Sequence, residues 1–357
     1  MVIRRRRLFR VFGFGPLLLL GAGATAVAIA AVTQGGNFRA AAPISATPDA
    51  TALYEPGDGP FHPVTKSGVI LHDPKRNKDL RVTVTYPSEQ GRYPTIVFSH
   101  GAGGSGDTYA PLTRYWATHG YVVIQPTHTD SVSLTSPGQP ARGMLNALDT
   151  ALHDSTAWQE RPRDISFLLD SLDELERLIP DLKGKAGTRR IGVGGHSFGA
   201  QTALLIGGAT IDLPGGKMGE SFADPRPRAI LVLSPEGSGQ MGFTGSSWRG
   251  LTRPMLTMTG TRDFWSPTRG PEWRKEPFTG APPGDKFHIL IDGATHMSFT
   301  GRTLMQSSAE DAIFADIKSA SLCFWDAYLK TDPMALAYLR SIAFTTATNG
   351  KVHLERK

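Results

Sequence analysis

Residues 190–200 read RIGVGGHSFGA, where a strand-like apolar run meets a serine set between two glycines and passes at once into a helix-like run. A strand that turns into a helix across a single residue forces that residue into a strained conformation. It also presses together the residues two before and two after the apex. Side chains at 195 or 199 would collide there, which accounts for Gly195 and Gly199. The apex, Ser197, is left beside a helix N-terminus whose N–H groups and dipole favour an anion. The junction belongs to alternating strands and helices, and it displays a nucleophile.

The remaining chain supplies such an alternation. Strands are expected at 67–72, 80–86, 94–99, 121–125, 190–194, 229–234, 254–259 and 287–291. Helical periodicity falls at 107–119, 158–178, 198–207 and 309–330, with Pro333 closing the last. Two alternating strands followed by short continuous β-branched runs predict an antiparallel start to a mostly parallel, doubly wound α/β sheet of about eight strands, with helices on both faces. The stretch WQERPRDISFLLDSLDEL reads as an amphipathic core helix with its arginines and acids on a solvated face. Two long connections, 127–157 and 235–253, leave strand ends, where open sheets bind ligands.

The net charge of +6 is misleading. Arg4, Arg5, Arg6, Arg7 and Arg10 account for five of those charges, so the rest of the chain carries +1 and nucleic acid is excluded as a partner. The same arginines precede an apolar run of 22 residues, Val11 to Val32, ending near small residues around Ala28 and Ala30. Residues 1–32 therefore read as an export signal, or alternatively as a membrane anchor formed by 11–32. Residues 33–63, rich in Ala, Pro, Gly and Thr, read as a linker, and 64–357 as the catalytic domain. Cys323 is the only cysteine, which rules out an internal disulfide, and it sits in an apolar helical stretch as a core residue.

A serine hydroxyl needs a base and a group that orients the base. Three histidines follow Ser197. His288 lies within a strand and His353 in the charged tail, whereas His296 in IDGATHMSF follows the last expected strand on a loop, where a base belongs. His196 adjoins the serine but should point away as scaffold. For the acid, Asp263 in PMLTMTGTRD lies just past a strand; Glu236 in VLSPEG is the alternative, and Asp292 a weaker third. An oxyanion hole needs two backbone donors. Phe198, directly after the serine, supplies one, and the SHGAGGSG loop the other, with Ala102 ahead of Gly103. No lysine follows that glycine loop at the spacing a nucleotide loop needs. His128 and Asp130 in THTDS are expected to make structural hydrogen bonds, with contact to an ion or to the substrate as the alternative. Trp158, Phe243, Trp248, Phe264, Trp265 and Trp273 stand in or beside loops over the site, as pocket lining or as ordinary packing.

FSHGAGGSGDTY, ATHGYVVIQPTHTDS, GHSFGA and GATHMSF resemble the α/β-hydrolase superfamily, and within it the platelet-activating-factor acetylhydrolase, dienelactone-hydrolase-like and chlorophyllase-like serine esterases. The resemblance spans about residues 66–330. It implies ester hydrolysis through an acyl-serine, with no cofactor. No metal ligand is expected at the site. Dienelactone hydrolases proper carry cysteine where this chain has Ser197. The acetylhydrolase branch places its acid after the sixth strand, where this chain has Ser234, Pro235 and Glu236, so the choice between Asp263 and Glu236 stays open. Without a large lid, a short-chain or accessible small-molecule or lipid-like ester is the expected substrate. Lipase or polyester hydrolysis, peptidase or amidase activity on the same triad, cofactor-free haloperoxidase chemistry and a non-catalytic binding role are the alternatives.

Overall fold

The computed structural model describes residues 50–301 and 307–357. The expected signal or anchor at 1–32 and the linker up to residue 49 lie outside the described residues. Residues 50–62, placed in the linker by their composition, lie against the domain. The Tyr54 hydroxyl donates to Asp326 Oδ2 at 2.8 Å, and the Phe61 ring meets Tyr93 edge-on at 5.4 Å.

The described residues form eleven strands: β1 (Pro63–Asp73), β2 (Lys78–Pro87), β3 (Tyr93–Ser99), β4 (Val122–Thr127), β5 (Ala186–His196), β6 (Thr210–Leu213), β7 (Lys217–Ser221), β8 (Ala229–Leu233), β9 (Met255–Gly260), β10 (Lys286–Ile291) and β11 (Val352–Arg356). Nine of them make one sheet in the order β1-β2-β4-β3-β5-β8-β9-β10-β11. β1 and β2 run antiparallel to each other, and β2 is antiparallel to β4. From β4 to β10 every neighbouring pair is parallel. The antiparallel start and parallel body match the expectation. The ninth strand, β11, pairs antiparallel with β10 and was not expected, because VHLER carries too few apolar residues to read as a strand. β6 and β7 form a separate two-stranded sheet.

The continuous apolar runs are continuous because both sheet faces are buried. Successive residues of β3 and β4 alternate between two cores: Val97, Val122 and Ile124 face one, Ile96, Phe98 and Val123 the other. The first core is closed by the helices Ser155–Asp170 and Phe198–Gly207 through residues such as Ile165, Leu168 and Leu204. The second is closed by Ala110–Thr118 and Ser308–Trp325, with Trp116 and Trp325 in edge contact and Cys323 buried among them. Pro333 does more than close the last expected helix: it opens another, Pro333–Leu339, at a position where a missing N–H has no consequence.

The 127–157 connection is largely helical, with Val132–Thr135 and Pro140–His153. The solvated-face reading of the helix Ser155–Asp170 is overturned for two residues. Arg161 and Asp164 are 1% and 0% exposed. Each is buried because partners from other elements satisfy its charge, Asp130 for Arg161 and His128, Lys78 and Arg76 for Asp164.

Candidate active site

β5 ends at His196, the helix Phe198–Gly207 begins one residue later, and Ser197 bridges them at φ 55° and ψ −125°. That left-handed conformation is unfavourable for a residue with a side chain. It is held by the Ser197 N–H donating to the Leu233 carbonyl of β8 at 3.0 Å. The glycines are sterically required. A Cβ on Gly195 would stand 2.0 Å from the Gly199 carbonyl oxygen, and one on Gly199 2.0 Å from that of Ser99. A serine ahead of a helix ordinarily caps its first N–H groups. The Ser197 hydroxyl makes no capping bond. Phe198, as the first helical residue, has no intrahelical acceptor for its N–H.

Most amides of the loop after β3 have acceptors within the protein. Gly101 N–H donates to the Tyr109 hydroxyl at 3.1 Å, Gly103 N–H to Asp130 Oδ2 at 3.1 Å, and Gly104 N–H to the Gly101 carbonyl at 3.1 Å. Among the described residues the Ala102 N–H has no acceptor. Of the two donors expected here, Gly103 is therefore committed to Asp130 and Ala102 is available.

The carboxyl ends of β9 and β10 bring Asp263 and His296 together, with His296 Nδ1 donating to Asp263 Oδ1 at 3.1 Å. Asp263 is fully buried and surrounded by donors. The Thr259 hydroxyl gives to Oδ2 at 2.9 Å, and Arg274 Nε lies 2.9 Å from Oδ1. Burial pushes this carboxyl up, but the His296 hydrogen bond and the Arg274 guanidinium outweigh it and hold the pKa at about 2. Asp263 is therefore an anion at neutral pH. Ser234, held at φ 49° at the end of β8, lies with Oγ 2.7 Å from the same His296 Nδ1. With Nδ1 facing Asp263, the Nε2 edge of the ring is left for other chemistry.

His196 joins the loops. Its Nε2 lies 2.9 Å from the His296 carbonyl, which can only accept, so Nε2 carries the proton and Nδ1 accepts from the Tyr109 hydroxyl at 2.7 Å. Gly101, Tyr109, His196 and His296 thus form one chain of hydrogen bonds. Burial, and then the nearby His296, push the His196 pKa well below the usual histidine value, so it stays neutral.

The other candidates lie elsewhere. Glu236 makes no hydrogen bond to His296, and its Oε2 is shut from solvent without a partner among the described residues. Burial raises its pKa against the pull of Arg274 and His296. Asp292 faces His353 of β11, 3.5 Å away. His288 is buried in β10 beside Thr257 Oγ1 at 2.8 Å, with its pKa pushed down to about 3 by burial. His128 Nδ1 donates to Asp164 at 2.8 Å, and Asp130 pairs with Arg161 at 2.7 Å, as structural hydrogen bonds. Among the described residues no group of three or more His, Cys, Asp or Glu could hold a metal ion. Trp158, Phe243 and Trp248 are buried packing, and the Trp273 indole donates to the Ser238 carbonyl. Phe264 and Trp265, directly after Asp263, are 56% and 44% exposed. Arg274, Ser234 and Tyr109 had no sequence signal: each acts through a loop contact that spacing does not encode.

A sheet in this order, with the strand–serine–helix elbow after β5 and an acid and a histidine after β9 and β10, defines an α/β hydrolase. The chain belongs to the alpha/beta hydrolase family, whose sequence profile matches residues 96–344. It is similar to cutinase est1 of Thermobifida alba, 28% identical over 229 residues, which cover 62% of this chain and 60% of that protein. It is 25% identical to cutinase cut1 of Thermobifida fusca over 287 residues, 79% of this chain and 73% of the relative. A platelet-activating factor acetylhydrolase of Cavia porcellus is 28% identical over 137 residues, 32% of this chain and 31% of that protein. No helix among the described residues is long and apolar enough to cross a membrane.

Proposed function

We propose that the protein is a serine esterase that cleaves carboxylic esters through an acyl-serine intermediate on Ser197. The observation that carries this reading is the buried Asp263 carboxylate on His296 Nδ1, in a loop tied by its own carbonyl to the neighbour of Ser197. Nε2 of His296 takes the Ser197 proton as Oγ bonds to the ester carbonyl carbon and the C=O electron pair moves onto oxygen. Asp263 fixes the ring and stabilises its cation. The Phe198 and Ala102 N–H groups receive the oxyanion. His296 then gives its proton to the departing alcohol, and water activated by the same ring releases the acid.

The rim around these groups favours a large hydrophobic ester over the short-chain ester expected from sequence. Val132, Met144 and Ala147 of the 132–153 segment lie against Gly103 of the oxyanion loop. The same segment exposes Leu134, Met144 and Leu145; Phe264 and Trp265 follow the acid, and Met297, 56% exposed, follows the base. Apolar side chains on three loops around one site suit a flat apolar surface. The cutinase relatives support a polyester as that surface. Turnover of p-nitrophenyl esters from acetate to palmitate and of a polyester film, compared with Ser197→Ala, tests both parts. Ser197-dependent release from film and long-chain esters is expected. Activity confined to acetate would return the substrate to small esters, and activity surviving in Ser197→Ala would refute the mechanism. Export through residues 1–32 is part of the same proposal; N-terminal sequencing of the mature protein would tell a cleaved signal from a retained anchor.

A further inference from the structure

We propose that Arg161 is a positioning residue that sets both halves of the oxyanion hole from one buried guanidinium, an inference that rests on the serine-esterase reading above. Arg161 stands in the helix Ser155–Asp170 and is 1% exposed. A buried cation must find acceptors for its donors. Those of Arg161 lie in the oxyanion loop or bear on it. Nη1 donates to the His100 carbonyl at 2.5 Å and Nη2 to the Gly101 carbonyl at 3.4 Å. Nε and Nη2 grip Asp130 at 3.1 and 2.7 Å, and the Oδ2 of that carboxylate in turn receives the Gly103 N–H. Residues 100, 101 and 103 are thereby pinned on either side of Ala102, whose own N–H is left for the substrate.

The second half is reached through the face of the guanidinium. Arg161 Cζ lies 3.9 Å from the centroid of the Phe198 ring, within cation–π range. Phe198 owns the other proposed donor. One planar cation therefore fixes the relative position of two N–H groups from different elements. A lysine could replace the charge but neither the fork nor the flat stacking face. The charge state is stable as well. Burial and then Arg161 push the His100 pKa well below the usual value, while Arg161 overcomes burial to keep Asp130 ionised, so the cluster is one cation and one anion at neutral pH.

Hole geometry acts on the transition state more than on substrate binding, which gives a signature that packing alone lacks. Arg161→Lys should lower kcat on a soluble p-nitrophenyl ester about 100-fold, with KM changed by less than about threefold, matching the loss of one hole donor. The direct readout is the hemiketal formed when Ser197 attacks a trifluoromethyl ketone. In that adduct the Oγ–C bond forms, the serine proton passes to His296, and the former carbonyl oxygen is the anion in the hole. Its pKa, followed by the 13C shift of the ketone carbon, should rise by about two units in Arg161→Lys, the equivalent of that 100-fold loss. An unchanged hemiketal pKa in a folded variant would overturn the inference. Should Arg161→Lys not fold, Asp130→Asn is titrated the same way: a rise of about one unit supports the inference and no shift overturns it. Wild-type protein that forms no adduct on Ser197 would instead refute the esterase reading, so the two failures are distinguishable.

Discussion

Asp263→Asn separates the charge of the acid from its role in orienting the histidine. The wild-type carboxylate takes the His296 Nδ1 proton at Oδ1 and the Thr259 hydroxyl at Oδ2, and the Arg274 guanidinium, whose Nε–H donates to the Asp263 carbonyl, stands in ion-pair contact 2.9 Å from Oδ1. Asparagine fits this shell in one orientation. Its oxygen takes the Oδ1 position, and its NH2 faces Thr259, whose hydroxyl rotates to accept. The reverse orientation would set NH2 against the His296 Nδ1–H and the Arg274 cation. His296 therefore keeps its tautomer, and what disappears is the anion beside the imidazolium. A unit charge at about 4 Å with an effective dielectric near 20 is worth about 4 kcal/mol. That corresponds to about a 1000-fold loss in kcat. Asp263→Ala, which also frees the ring, should lose more. Steady-state hydrolysis of p-nitrophenyl butyrate gives both values, and Glu236→Gln should stay within about threefold of wild type because Glu236 makes no bond to His296. A loss under about tenfold in Asp263→Asn together with a collapse in Glu236→Gln would make Glu236 the acid.

Two further outcomes concern stability. Gly195→Ala puts a methyl 2.0 Å from the Gly199 carbonyl oxygen, a backbone atom that cannot swing aside. The cost should be about 3 kcal/mol or more, seen as a Tm loss of about 6 °C or more; an unchanged Tm would contradict the packing of the elbow. Acid should unfold the protein through its buried carboxylates. Asp263 and Asp164 are each held at about 2, below the ordinary aspartate value, Asp263 by His296 and Arg274 and Asp164 by His128 and Lys78, against the upward pull of burial. A folded pKa below the unfolded one gives stability that is complete above about pH 4 and lost as pH falls through about 2. Tm measured from pH 6 to 2.5 should hold level and then fall; a Tm insensitive to pH down to 2.5 would contradict these ion pairs.

The parallel strands were legible because burial on both faces leaves uninterrupted β-branched runs such as Ala229–Leu233. The elbow was legible because its steric demand appears as two glycines at fixed spacing. The amphipathic strand β11, with only Val352 and Leu354 apolar, and the 140–153 helix gave no comparable signal, since much of each faces solvent. Within the site, residues on loops directly after strands could be nominated from chain order. The choice between Asp263 and Glu236 could not, because both follow a strand on the same edge. What distinguishes Asp263 is its bond to His296 Nδ1, and Arg274 holds the two loops together through Asp263 and the Ser234 and Pro235 carbonyls. The burial of Arg161 is hidden in the sequence for a related reason. Helical periodicity marks a charged residue as solvated unless its partner, here Asp130, 31 positions away, is known.

Covalent labelling asks whether Ser197 is a nucleophile activated by His296. Treating the full-length protein with a fluorophosphonate and locating the adduct by peptide mass spectrometry tests it most directly. A single covalent adduct on Ser197 is expected, absent from Ser197→Ala and formed far more slowly in His296→Ala. Folded wild-type protein that takes up no label, or carries it on another serine, would contradict it.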